Sequence, residues 1–208
     1  MKNMKQILTL VFLMVSVPMV FAQQNTDCTI KYNLFKGDYQ AKKYDTAYEN
    51  WIWCMDNCPK LSVNIYKLGV KIAQNRIDKA SEADKPAAIE LMNRIYTQRM
   101  EHFPKDFGKV YNDWATFKAS QGATDEEVFD LLEKSFKADP TDMSGKNIFK
   151  YFDVIMQRNK DTNPQVVFDT YDEVTEGLEL KRADYSKKID KYNFICEFKR
   201  QFYFMRRK

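Results

Sequence analysis

Residues 44–59 read Tyr-Asp-Thr-Ala-Tyr-Glu-Asn-Trp-Ile-Trp-Cys-Met-Asp-Asn-Cys-Pro, and four of them decide the fold: Ala47, Trp51, Cys54 and Pro59. Steps of four and three put the first three on one face of a helix. A proline five residues later marks where that helix must stop. The same spacing returns as Met92, Tyr96, Arg99 and Pro104, and again as Val128, Leu132, Ser135 and Pro140. A weaker fourth copy, Val167, Tyr171, Val174 and Glu179, keeps the steps and lacks the proline. The terminators fall 45, 36 and 39 residues apart. A supersecondary unit recurring at such periods predicts an all-α solenoid, an architecture that usually binds rather than catalyses. No sustained period-two alternation bounded by hairpin turns competes with it.

Each copy is preceded by a second helical pattern, so the units are helix pairs. The first pair opens near Thr29, with Tyr32, Phe35 and Tyr39 on one face, a turn at Lys43-Tyr44-Asp45, and a second helix over 46–57 for which Asp45 is the expected N-cap. The second opens with Ile65, Leu68, Gly69 and Ile72 and runs toward Ala80; Asp84-Lys85-Pro86 restarts the chain with proline in the first turn. A glycine inside so strong a helix costs about 1 kcal/mol against alanine. Gly69 therefore predicts a neighbouring helix packed where a side chain would clash. The third pair carries Tyr111, Trp114 and Ala115, stops at Gln121-Gly122, and restarts with Thr124 and Glu127 at capping-box spacing. The fourth carries Phe149, Phe152 and Met156, then Asn163-Pro164 as a cap and first helical residue.

The Leu68-Gly69 step, the Tyr44-Asp45-Thr46-Ala47 entry and the spacing from Ala47 to Pro59 resemble tetratricopeptide repeats. The likeness covers about residues 31–180; with its export signal and Asn57-Cys58-Pro59, the whole chain resembles exported tetratricopeptide proteins of Bacteroidetes-type bacteria. Three departures stand out. About eleven extra residues separate the helices of the second repeat, Arg99 and Ser135 sit where the family prefers alanine, and the fourth repeat has no proline. The resemblance implies a right-handed α-superhelix of about four repeats spanning 23–185, with a concave face built from the first helix of each pair. Counting from the packing residues, Asn33, Gln40, Tyr66, Gln74, Asn112 and Thr116 should line that concave groove and meet a protein or peptide segment. The antiparallel pair implied by the repeat also sets the start of the first helix beside the end of the second. That predicts a Cys28–Cys58 disulfide clasping the first repeat, with Cys54 a buried packing residue.

The two ends differ from the body. Lys2 and Lys5, an apolar run from Ile7 to Phe21 and the exit Val20-Phe21-Ala22 read as a signal peptide over 1–22; the run is 15 residues, short of a membrane span. Export to the periplasm, the outer-membrane surface or the medium follows as the expectation. Residues 186–208 read as a last helix capped by Ser186, with an apolar stripe of Ile195, Phe198 and Phe202 among Lys199, Arg200, Arg206 and Arg207. Residues 187–208 carry a net +6, which leaves 23–186 at −4. An acidic body lacks the basic stripe that nucleic-acid binding needs. The basic-apolar tail suits either packing on the last repeat or peripheral contact with an acidic membrane surface.

Chemistry is thinly supported. One histidine, His102, excludes most Ser–His and Cys–His nucleophile arrangements. With Cys54 and Cys58 it makes too few ligands for a zinc site. There is no glycine-rich phosphate loop. The carboxylate clusters Asp125-Glu126-Glu127 and Asp172-Glu173 fall at helix starts and on helix surfaces, where such groups are normally solvated. The expectation is a non-enzymatic exported scaffold without metal or cofactor, binding a protein or peptide segment. The alternative is a structural subunit that docks into an envelope complex through its C-terminal stripe, and a carboxylate hydrolase stands third.

Overall fold

The computed structural model describes residues 26–184. The signal segment, the C-terminal stripe with its Ser186 cap, and Cys196 lie outside the described residues. Those that are described form helices and turns, with no strand among them. Helix α1 covers residues 26–40. It is followed by α2 (Tyr44–Asn57), α3 (Asn64–Lys79), α4 (Lys85–His102), α5 (Phe107–Ser120), α6 (Asp125–Ala138), a short 3₁₀ turn (Pro140–Asp142), α7 (Gly145–Asn159) and α8 (Pro164–Asp184). The chain divides into two compact units, one ending at Pro104 and the other beginning at Lys105. In the first, α2 packs on α3 and α3 on α4; in the second, α5 packs on α6, α6 on α7 and α7 on α8.

The quartets are the packing faces. Eleven of their twelve non-terminator residues are buried, Tyr171 alone being half-buried. Trp51 is wholly buried and donates its indole N–H to the Ile65 carbonyl at 2.7 Å. A Cβ on Gly69 would stand 2.6 Å from that indole nitrogen, so the close approach that the glycine predicted is real. The same device recurs in the second unit, where a Cβ on Gly177 of α8 would stand 2.9 Å from Pro140. Ser135, wholly buried, donates its hydroxyl to the Gly108 carbonyl at 2.7 Å, which is why a polar residue is tolerated in that packing row.

Helix ends follow the punctuation with two corrections. The Thr124–Glu127 capping box is complete, Gly122 takes φ +95° after α5, and α8 starts at Pro164. Asp45, however, is not the N-cap of α2. The helix starts at Tyr44 with Lys43 before it, and the Asp45 carboxylate reaches α3 instead, accepting from Asn75 at 2.9 Å and Lys79 at 2.6 Å. Nor is Glu179 a terminator: with no proline to break it, α8 continues to Asp184. Buried Lys181 of α8 donates to the carbonyls of Thr141 and Met143 and so fastens the helix to the 3₁₀ turn.

Cys28 and Cys58 are joined, with their Cα atoms 5.9 Å apart, so the start of α1 is tied to the end of α2 as the antiparallel pair required. Cys54 is a free thiol at zero exposure, and burial pushes its pKa up to about 11. A thiol so placed is an apolar packing group.

Candidate functional site

Two of the residues expected to line a groove turn inward. Tyr66 is wholly buried; its hydroxyl donates to the Pro59 carbonyl at 3.0 Å and its ring packs on His102 and Phe103. Asn112 is buried too. Its Oδ1 accepts from the Ser144 backbone N–H and from Asn147 Nδ2, both at 2.9 Å, which ties α5 to the start of α7. Both residues serve the interior, because a helix beside each of them claims its polar group. Thr116 is exposed, yet its hydroxyl is held between the Asn112 carbonyl and Asn147. Gln74 is half-buried and donates to Asp78 at 2.7 Å. Asn33 and Gln40 are exposed on α1.

The acidic cluster Asp125-Glu126-Glu127 is likewise occupied. Asp125 pairs with Lys150 and Glu126 with Arg158, while Glu127 completes the capping box. Among the described residues, no three His, Cys, Asp or Glu side chains converge as a metal group would need. No helix of the described residues is long and apolar enough to cross a membrane.

A concave site does exist in the first unit, where the sequence reading had not placed it. A cleft of about 820 Å³ opens between α2 and α4 and is closed off by the end of α3 and the link after it. Helix α2 contributes Asp45, Tyr48 and Ile52; α3 contributes Arg76 and Lys79; Ala80 and Ser81 follow. Helix α4 lines the remainder with Ala87, Leu91, Arg94 and Gln98, at steps of four, three and four, so one face of α4 runs along the cleft. The opposite face carries Met92, Tyr96 and Arg99, which are buried. Small side chains at Ala80, Ala87 and Ala88 leave the space open.

The charges are mostly matched. Lys79 pairs with Asp45 at 2.6 Å, and its hydrogen bond is the main reason that the Asp45 carboxyl titrates below its ordinary value. Arg94 pairs with Asp56, Ser81 donates to Asp84 at 2.6 Å, and Asn93 donates to Glu90 at 3.2 Å. Arg76 differs: its guanidinium carbon lies 3.8 Å above the Tyr48 ring, a cation–π contact. The carbonyl oxygen of Gln98 is buried without a hydrogen-bond partner. The lining is mostly polar and charged, with Ile52, Leu91 and three alanines as its aliphatic part.

Reasoning from packing faces missed this site because it follows the first helix of each pair, while the cleft belongs to α2 and α4. The 4-3-4 run from Ala87 to Gln98, beside a quartet already assigned to the core, is the signal that marks it. No family model, curated protein or solved structure matches the chain.

Proposed function

We propose that the protein is a non-enzymatic, exported binding scaffold that holds an extended protein or peptide segment in the α2–α4 cleft. One observation carries this reading: a cleft lined along one face of α4, with Ile52 and Leu91 set among polar and charged groups. From Asp84 to Gln98 that face extends about 21 Å at 1.5 Å per residue. An extended chain covers such a length with about six residues. The tetratricopeptide-like, right-handed superhelix of about four repeats belongs to the same proposal. Its support is the buried quartets, and the binding face moves from the first helices of the pairs to α2 and α4. The Cys28–Cys58 bond accords with export to an oxidising compartment such as the periplasm or outer-membrane surface.

A photo-reactive side chain placed at Leu91 should cross-link a segment of another protein in the intact cell envelope. Filling the cleft by Ala88→Trp should abolish that cross-link while leaving the fold unchanged by circular dichroism. Cross-links obtained from Asn33 or Gln40 but never from Leu91 would overturn the assignment.

A further inference from the structure

The cleft also says what it reads. Arg76 is the group that decides this, because every other ion in the lining is already answered. Lys79 has Asp45 and Arg94 has Asp56. The carboxylates of Asp84 and Glu90 each accept a hydrogen bond from a neighbour. Among the described residues Arg76 forms no ion pair; Asp45, already paired with Lys79, is the lining carboxylate near enough to act on its charge. Tyr48 covers one face of its guanidinium. A stacked guanidinium keeps its N–H groups in a planar fork, and a carboxylate matches that fork with two parallel bonds.

One further fact points the same way. The described first unit holds 12 Lys/Arg against 10 Asp/Glu, whereas the described second unit holds 11 against 17. The cleft lies in the cationic unit, which favours an anionic visitor.

Building on the peptide-binding reading, we propose that the cleft selects an extended segment bearing an acidic side chain. The carboxylate lies on Arg76, and apolar side chains of the segment lie on Ile52 and Leu91. Tyr48 acts as a positioning residue, since it holds the guanidinium without touching the acid.

The test uses three fluorescein-labelled hexapeptides, blocked at both ends, in which leucine alternates with glutamate, glutamine or lysine. Binding to the full exported chain is followed by fluorescence anisotropy at an ionic strength of about 0.1 M, where an exposed pair is only partly screened. The glutamate peptide should bind at least about tenfold more tightly than the glutamine peptide, as a hydrogen-bonded charge pair implies. Arg76→Gln should erase that preference. If the glutamine or lysine peptide binds the native chain as tightly as the glutamate one, or if Arg76→Gln keeps the preference, the carboxylate reading falls while peptide binding stands. If none of the three binds the native chain, both readings fall.

Discussion

Gly69 and Gly37 show how much one atom can decide. Both are helical glycines, and by propensity alone alanine at either should gain about 0.5–1 kcal/mol. Their surroundings differ. A Cβ at Gly69 meets three atoms of the Trp51 indole within 2.8 Å, and that ring is fixed by its bond to Ile65. A Cβ at Gly37 meets nothing within 4 Å. Overpacking a well-filled core costs about 1–3 kcal/mol, more than the propensity gain. Gly69→Ala should therefore lower the urea midpoint and Gly37→Ala should raise it; an increase for Gly69→Ala would show that Trp51 can move aside. The Gly69 contact was legible in the sequence, because a glycine in a strong helix needs a reason. Tyr66 and Asn112 were not. Their polarity is what a solvated groove would carry, and only the neighbouring Pro59, Ser144 and Asn147 reveal that each is consumed inside.

Helices and their ends were the most readable level, for a local reason: caps and terminators act within one turn. The box opening α6 is an example. Thr124 Oγ1 accepts from the Glu127 N–H at 3.2 Å, and the Thr124 N–H donates to Glu127 Oε2 at 2.7 Å. Thr124→Ala should cost about 1 kcal/mol in unfolding free energy. The bond from the Thr124 backbone, then that from its side chain, holds the Glu127 carboxyl below its ordinary 4.5. A lowered folded pKa means that the unfolded state binds the proton first. The contribution is thus complete above about pH 4.5 and is lost as the pH falls through the folded value. Acid titration of the unfolding midpoint should show this slope in the native chain and lose it in Glu127→Gln. Asp45 marks where local logic ends, since two donors on α3 outbid the helix start. The cleft was hidden for the same reason. It forms only when α2 and α4 stand on either side of the α3 end, and spacing along one helix does not report that.

At the scale of the whole molecule, the disulfide acts locally. The bond joins residues 30 apart. Closing a loop of that length in the unfolded chain stabilises the fold by about 3–4 kcal/mol in the chain-entropy account. All of that acts on α1 and α2, which it ties end to end. If the helix pairs stack as the proposed solenoid, stability is a sum of unit terms and neighbour terms, so a loss at one end need not unfold the other. A chain carrying Cys28→Ser and Cys58→Ser should therefore lose hydrogen-exchange protection first over residues 26–57. Helices α5 to α8 have their own core around Leu132, Met143, Ile148 and Val174 and should keep theirs. The cleft offers a second readout, since its α2 wall carries Tyr48 and Ile52. If α2 frays, the stack of Arg76 on Tyr48 goes with it, and binding of an acidic segment should fall before global unfolding begins. Simultaneous loss of protection in α2 and α7 would instead mean that the chain folds as one cooperative body, and the solenoid account would have to be abandoned.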